Sequence, residues 1–198
     1  MDRPEIDLNA LQDELNKWTT EFMGNTEMAS GRTFGGITVT GASGSGKTRT
    51  AIELPKLLEL PEGWTACYVG CILPTADGAS GHPPSLDDSG FDRPPREKKD
   101  ELGAEERLIR MIAGKYGIKD EALLSQLTME LLLDKVRECE GAEKDKFMVL
   151  YFHLDEMQRD PHFCTHLLRR LGYLLPQVGG AFVKTKTLLV PVLTGTFR

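Results

Sequence analysis

Long apolar runs are missing from this 198-residue sequence, and none reaches the roughly 18 residues that a bilayer-spanning helix requires. The first ten residues also lack the apolar core of a secretory leader, and three of them are acidic. Positive charge is not in excess, because 24 lysines and arginines are outnumbered by 30 aspartates and glutamates, a net charge of −6 at pH 7. Nucleic-acid binding is therefore unsupported by charge, which leaves open only a local basic patch. We expect a soluble intracellular protein, cytoplasmic or nuclear, without a membrane partner.

Cysteine is scarce and too scattered to form the disulfide framework of a small secreted domain. The four residues are Cys67, Cys71, Cys139 and Cys164. They lie in apolar segments, so we expect buried thiols and no disulfide bond. The pair Cys67 and Cys71 has a zinc-like spacing, as does the pair His162 and His166, but about ninety residues separate the two pairs. Zinc is disfavoured because of this separation and because the cysteine pair falls on a predicted strand.

Strand-like and helix-like segments alternate along the chain, which predicts one α/β domain. The predicted strands are residues 37–40, 64–73, 147–154 and 187–193. The predicted helices are residues 8–22, a helix from about Gly46 that Pro55 should kink or end, residues 104–116, residues 120–139, and a helix after Pro161. The nearly continuous apolar run at 147–154 is typical of a strand in a buried parallel sheet.

Two segments differ in composition from this alternating core. Residues 1–35 hold an amphipathic helix and a linker, and residues 74–103 hold five prolines with few large apolar side chains. We expect the second segment to be a flexible, partly disordered surface insertion. In the N-terminal helix, Leu11, Leu15 and Trp18 share one face, which packs on the sheet or, alternatively, docks a partner helix.

The most informative motif lies between the first predicted strand and the next predicted helix. Its sequence is GASGSGKT, in which glycines let successive backbone N–H groups turn toward phosphate oxygens at the positive helix end. We expect Lys47 to act catalytically on the β- and γ-phosphates of ATP, and Thr48 to bind Mg²⁺ through its hydroxyl. The predicted nucleotide-binding residues are Gly41, Ala42, Ser43, Gly44, Ser45, Gly46, Lys47, Thr48 and Arg49. The alternative is a glycine-rich turn that carries Lys-Thr by chance, which the flanking strand and helix disfavour.

Adjacent carboxylates follow the apolar strand predicted at residues 147–154. Asp155 and Glu156 lie at the edge of an open parallel sheet where ligands bind. Hydrolysis of a nucleotide needs a carboxylate near the metal and a base for the attacking water. We predict that Asp155 holds Mg²⁺ through a water molecule and that Glu156 is catalytic, activating the hydrolytic water. The alternative is that both acids cap the next helix.

A third polar group follows the last predicted strand. Thr194, Gly195 and Thr196 come directly after the apolar residues 187–193. A polar residue at the end of a strand beside a phosphate loop can sense the γ-phosphate. We predict this catalytic role for Thr194, with Thr196 as the second candidate. Taken alone, Thr-Gly-Thr is also common in turns.

Two further features are assigned no catalytic role. His153 lies within an apolar strand and is interpreted as a core histidine whose hydrogen bonds are satisfied. Residues 87–90 match the D-x-x-G of GTPases, but no strand precedes them and no N-K-x-D follows the glycine-rich motif. ATP is therefore expected rather than GTP.

Three segments resemble, in sequence and in order along the chain, the motifs of additional-strand P-loop NTPases of the AAA and STAND kind. They are GASGSGKT, HLDEMQ and LLVPVLTGT. More narrowly, residues 36–198 are similar to the NTPase module of Crinkler effectors and kinetoplastid retrotransposon hot spot proteins. The resemblance implies a three-layer α/β fold with a mainly parallel sheet in the order 5-1-4-3-2. This chain accounts for strands 1-4-3-2 and not for the fifth. We therefore expect a C-terminally incomplete P-loop domain or a partner that completes it.

The resemblance also implies an Mg²⁺-dependent ATPase that powers or switches an attached or partner effector, with self-association as a further expectation. One alternative is a nucleotide-dependent assembly switch with little turnover. It is favoured by the missing strand and by the lack of a clear arginine finger among Arg169, Arg170 and Arg198. A small-molecule or nucleoside kinase is a third hypothesis, weakened by the lack of an arginine-rich lid. The N-terminus supplies no motif for the secretion that effector families imply.

Overall fold

A computed structural model of the chain describes residues 7–24, 35–73, 103–175, 177 and 179–196. The predicted insertion at residues 74–103 lies outside these residues, apart from Gly103, and so does Arg198. Within the described residues, helices and strands alternate as the apolar patterns predict.

Four strands form one all-parallel sheet in the described part of the chain. Their bounds are β1, Ile37–Thr40; β2, Thr65–Ile72; β3, Met148–Asp155; and β4, Thr187–Gly195. The strand order is β1-β4-β3-β2, which confirms the predicted parallel sheet and the predicted order 1-4-3-2. The fold is therefore mixed α/β and compatible with a three-layer architecture.

Helices cover this sheet. The α-helices are α1, Leu8–Met23; α2, Lys47–Leu57; α3, Ala104–Lys115; α4, Glu121–Gln126; α5, Met129–Cys139; α6, Pro161–Leu174; and α7, Ala181–Lys184. A 3₁₀ helix, Met157–Arg159, lies between β3 and α6. Strands β3 and β4 are buried along their whole length, because helices and neighbouring strands enclose them in one apolar core. No helix among the described residues has the length and apolarity needed to cross a bilayer.

The strand register brings the ends of β1, β3 and β4 together. Val39 of β1 pairs with Thr194 of β4, and Leu154 of β3 pairs with Leu193 of β4. Because parallel strands all end at the same edge of the sheet, Asp155 and Thr194 lie beside the loop that leaves β1. This edge is the position of the candidate site.

The N-terminal helix α1 packs on the core of its own chain. Leu15, Trp18 and Phe22 are buried, and the Phe22 ring meets Phe147 edge to face with the ring centroids 6.2 Å apart. The apolar stripe is therefore covered within this chain. This confirms packing on the core over the alternative of docking a partner helix.

The single helix predicted over residues 120–139 is wrong, because the structure has two helices there. Helix α4 ends at Gln126, and Leu127 is extended with φ −79° and ψ 116°. Thr128 then caps α5, since its hydroxyl accepts from the backbone N–H of Leu131 at 3.3 Å. A threonine that accepts from the backbone ahead of it favours a helix start over a helix interior.

Helix α2 extends past Pro55, so of the two expected outcomes, a kink or an end, the proline does not end the helix. It continues to Leu57, and the backbone N–H of Leu58 donates to the Leu54 carbonyl at 3.0 Å. A proline this close to the end removes only one intrahelical bond, and the fully buried Leu54 anchors the last turn.

Three of the four cysteines are buried, as predicted, but Cys139 is exposed. It is the last residue of α5, where the helix leaves the core. All four are free thiols, and burial raises the pKa of Cys67 and of Cys164 to about 11.

Candidate functional site

Residues 41–46 form a glycine-rich loop between β1 and α2. Gly46 is the N-cap of α2 and has φ +86°, in the left-handed region that residues with a Cβ rarely adopt. The first helical bond runs from the Thr50 N–H to the Gly46 carbonyl at 2.9 Å. The N–H groups of Lys47, Thr48 and Arg49 therefore precede the intrahelical bonds and lie at the positive end of the helix, which favours an anion.

The loop closes tightly on itself. The Ser45 N–H donates to the Ala42 carbonyl at 3.2 Å, and a Cβ added to Gly41 would lie 2.8 Å from Ser45 Oγ. Ser45 Oγ is buried and has no hydrogen-bond partner. Such an orphaned hydroxyl is a group that a phosphate oxygen can satisfy.

The Lys47 side chain folds back into this loop. It is buried, and its Nζ donates to the Ala42 carbonyl at 2.7 Å. The charge is thus held by a carbonyl dipole rather than by a carboxylate. A buried cation in this setting attracts a ligand that carries full negative charge.

A cavity of about 410 Å³ lies beside the loop and the ends of β3 and β4, within the size range of ligand sites. Its lining residues are Ser43, Gly44, Gly46, Lys47, Thr48, Arg49, Ile52, Asp155, Glu156 and Thr196. Six of the nine predicted nucleotide-binding residues belong to this lining, whereas Gly41, Ala42 and Ser45 do not.

Asp155 lies directly across from the first turn of α2. Thr48 Oγ1 donates to Asp155 Oδ2 at 2.9 Å, although 107 residues separate the two in sequence. The Thr194 hydroxyl donates to Oδ1, and so does the backbone N–H of Glu156, at 3.0 Å. The carboxylate is buried, with 3% of the residue exposed, and three donors hold it. The structure therefore brings together Thr48 and Asp155, the two predicted metal ligands.

The pair Thr48 and Asp155 fits Mg²⁺. Hydroxyl and carboxylate oxygens are the hard ligands that Mg²⁺ prefers, and it is usually held by one or two carboxylates together with substrate phosphates and water. No cluster of three or more His, Cys, Asp or Glu side chains that could hold a metal occurs within the ranges described above.

Glu156 borders the cavity in a strained backbone conformation. Its φ is +60° and its ψ is 44°, a left-handed conformation that is costly for a residue other than glycine and that concentrates at functional sites. One carboxylate oxygen, Oε2, accepts from the Gln158 amide and lies 3.5 Å from Arg159 Nε. The side chain predicted to activate water is therefore engaged with its own 3₁₀ helix.

Neither acid caps a following helix through a side-chain hydrogen bond, although Glu156 holds the N-cap position of the 3₁₀ helix. Helix α6 is capped by Asp160, whose Oδ1 accepts from the Phe163 N–H at 3.0 Å. Glu156 makes no side-chain cap bond at the 3₁₀ helix.

Thr194 is fully buried, and its hydroxyl is engaged with Asp155 and His153. Because β4 continues to Gly195, Thr194 belongs to the strand rather than to a turn after it. Thr196 is the residue of this segment that lines the cavity. The second candidate for sensing the γ-phosphate thus borders the cavity, whereas the first contacts the carboxylate of Asp155.

His153 is a buried histidine with both ring nitrogens hydrogen-bonded, which confirms the interpretation of a satisfied core residue. Its Nδ1 lies 2.6 Å from Tyr68 Oη, and its Nε2 lies 2.8 Å from Thr194 Oγ1. Burial lowers its pKa, which favours the neutral form of the ring.

Three residues around the site are missed by the sequence patterns. Ile52 lies one helical turn after Thr48, so helical spacing could have indicated it. Gln158 is the last residue of the motif HLDEMQ, but no role was predicted for it. Tyr68 meets His153 only through the register of β2 on β3, which local sequence does not reveal.

Neither of the two candidate finger arginines that the structure describes, Arg169 and Arg170, lines the cavity. Arg169 is exposed on α6, Arg170 pairs with Glu105 at 2.6 Å, and Arg198 lies outside the described residues. Arg49 does line the cavity, but its side chain is 75% exposed and pairs with Glu53 at 2.9 Å.

No protein-family model matches this chain, and no curated protein or solved structure matches it. The function proposed below therefore rests on the geometry of the site and on the motifs that form it.

Proposed function

We propose that this chain is an ATP-binding domain of the additional-strand P-loop NTPase class and that it hydrolyses ATP with Mg²⁺ to power or switch an attached or partner effector. The observation that carries the proposal is the 2.9 Å hydrogen bond between Thr48 and Asp155. It joins a hydroxyl at a helix N-terminus to a buried carboxylate at the end of a central strand. An Mg²⁺-nucleotide needs both groups in this relation.

In this proposal the glycine-rich loop and the first turn of α2 bind the phosphates through backbone N–H groups. Lys47 exchanges the Ala42 carbonyl for phosphate oxygens, which accept its charge-assisted hydrogen bonds more strongly. Thr48 and Asp155 hold Mg²⁺, the carboxylate through a water molecule. Bound Mg²⁺ supplies positive charge that offsets the negative charge of the β- and γ-phosphates.

Glu156 is the proposed base for the attacking water, since it borders the cavity next to Asp155. Its Oε2 has to leave Gln158 and Arg159 before that oxygen can accept a proton from water. Thr196 faces the cavity and is the proposed contact of the γ-phosphate. Direct sensing by Thr194 stays a prediction, and it requires that hydroxyl to leave Asp155.

Two substitutions test the proposal. Glu156→Gln keeps the shape of the side chain but removes the base, so turnover should fall roughly 10²- to 10⁴-fold while ATP stays bound. Lys47→Ala removes the buried cation and should weaken ATP binding itself. Phosphate release and calorimetric titration with ATP and Mg²⁺ measure the two effects, with exposed Glu62→Gln as the matched control. If ATP turnover is unchanged in Glu156→Gln, Glu156 is not the base. If ATP affinity is unchanged in Lys47→Ala, the proposed nucleotide site is wrong.

A nucleotide-dependent switch with little turnover is the second candidate. The engagement of Glu156 by Gln158 and Arg159 favours it, because Oε2 of that carboxylate already has two partners within its own 3₁₀ helix. In this case the wild-type chain binds ATP, turns it over no faster than Glu156→Gln, and self-associates only with nucleotide. Analytical ultracentrifugation with and without ATP decides, and Lys47→Ala should abolish the nucleotide-dependent association.

A further inference from the structure

A chain of hydrogen-bonded side chains runs across three strands of the sheet to the carboxylate of Asp155. It begins at the Tyr68 hydroxyl on β2, passes through both ring nitrogens of His153 on β3, and continues through the Thr194 hydroxyl on β4. His153 and Thr194 are 2% and 0% exposed, so water does not substitute for either partner. Of its four members, only Thr194 and Asp155 are predicted site residues.

The direction of every hydrogen bond in this chain follows from the acceptor at its end. An ionised carboxylate only accepts, so Thr194 donates its single hydroxyl proton to Asp155 Oδ1. The Thr194 oxygen then accepts from His153, which places the ring proton on Nε2. With that proton on Nε2, Nδ1 is an acceptor, and the Tyr68 hydroxyl donates to it.

The sheet has room for the Tyr68 side chain beside His153 because position 70 is a glycine. A Cβ on Gly70 would lie 2.8 Å from Tyr68 Oη and 3.0 Å from a ring carbon. Gly70 pairs with His153 in the register of β2 on β3, so the missing side chain at this position leaves room for the tyrosine hydroxyl beside the imidazole. Tyr68 and Gly70, both on β2, thus combine to orient His153 on β3.

We propose that His153 and Tyr68 are positioning residues that fix which oxygen of Asp155 is presented to the metal, an inference that rests on the proposed function. Oδ1 accepts from the Thr194 hydroxyl and from the Glu156 N–H, and Thr194 is in turn held by His153. Oδ2 faces Thr48, the second ligand of the proposed Mg²⁺ site. The Nε2–H tautomer of His153 keeps Thr194 in its donating orientation and so keeps Oδ2 toward the metal.

The tautomer is read directly by NMR on the protein labelled with ¹⁵N in histidine, without nucleotide or metal. The His153 signal is the one that is absent from His153→Gln. We expect the ring proton on Nε2 in the wild-type protein. A ring whose only proton is on Nδ1 overturns the proposal. This measurement does not depend on ATP binding.

Metal binding is the second readout, measured as the ratio of ATP affinity with Mg²⁺ to ATP affinity with EDTA. His153→Met removes the donor to Thr194 and should lower this ratio roughly 10- to 100-fold, the usual effect of losing a residue that orients a metal ligand. His153→Gln keeps an N–H donor and should retain most of it. Tyr68→Phe, which removes one hydroxyl only, should lower the ratio in the same direction.

The outcomes distinguish a failure of the proposed function from a failure of the positioning role. If ATP does not bind the wild-type chain, the proposed function fails, while the tautomer still tests the chain of hydrogen bonds. If ATP binds and the Mg²⁺ ratio is the same in wild type, His153→Met and Tyr68→Phe, the positioning role is wrong and the proposed function stands. Should His153→Met fail to fold, Tyr68→Phe and the wild-type tautomer still decide.

Discussion

Gly46 has a backbone conformation that glycine adopts readily and that residues with a Cβ rarely adopt. Its φ is +86°, and a Cβ built there would meet no atom within 4 Å. The cost of a side chain is therefore a backbone cost, roughly 1–2 kcal/mol for a residue forced into the left-handed region. Because Gly46 caps α2, the same strain acts on the N–H groups that are proposed to bind phosphate.

Gly46→Ala should lower the free energy of unfolding by about 1–2 kcal/mol and weaken ATP binding. Gly103→Ala is the matched control, because Gly103 also caps a helix, has φ −59°, and offers open space to a Cβ. We expect the control to change stability by less than about 0.5 kcal/mol. Urea unfolding measures both variants, and a Gly46→Ala protein as stable as the control would show that the loop relaxes at no cost.

Helices α3 and α6 are joined by two ion pairs that differ in burial. Arg107 and Asp160 lie 3.2 Å apart with side chains 6% and 12% exposed, whereas Arg170 and Glu105 lie 2.6 Å apart with side chains 50% and 33% exposed. The Arg107 guanidinium also lies over the Phe163 ring, 3.6 Å from its centroid. Because Asp160 caps α6 just after the 3₁₀ helix, the buried pair anchors the segment that carries Glu156.

Asp160→Asn keeps an acceptor for the Phe163 N–H but removes the charge opposite Arg107. Breaking a buried pair leaves one charge without compensation, so we expect a loss of about 3 kcal/mol. Glu105→Gln breaks the exposed pair between the same helices and should cost less than about 1 kcal/mol. Chemical denaturation compares the two, and equal losses would contradict the ranking by burial.

The elements of this fold differ in how far their sequences determine them. The strands follow from contiguous apolar runs, and the glycine-rich loop from one short motif between a strand and a helix, so both were predicted. The break at Thr128 arises because its side chain caps α5 instead of continuing the helix that α4 begins. The apolar spacing does not show this break, since α4 and α5 continue one pattern across it. Local hydrogen bonding therefore sets helix boundaries that hydrophobic spacing misses.

At the scale of the whole molecule, the candidate site depends on strand order and register. The contact between Thr48 and Asp155 was predictable because strand ends of a parallel sheet share one edge. The burial of Thr194, and its contact with Asp155 in place of the cavity, depends on β4 extending to Gly195. The contact of Tyr68 with His153 depends on a register of β2 on β3 that no local pattern contains.

The same topology predicts how a ligand changes stability. The cavity takes atoms from the loop after β1, from α2, and from the ends of β3 and β4, so a ligand bound there ties together segments distant in sequence. Binding to the native state alone at a hundred times the Kd adds about 2.7 kcal/mol to the free energy of unfolding. For a chain of this length that corresponds to a rise in Tm of roughly 5–10 °C.

We expect this rise in thermal unfolding experiments with ATP and Mg²⁺, and a smaller rise with ATP and EDTA. Asp155→Asn should abolish the difference between the two conditions, because it removes the charge that holds the metal while keeping a side chain of the same shape. Adenosine with Mg²⁺ is the control, since it lacks the phosphates that the loop is proposed to bind. A Tm rise with adenosine equal to that with ATP would mean that the stabilising contact is made with the nucleoside, and the anion-binding role of residues 41–48 would then be wrong.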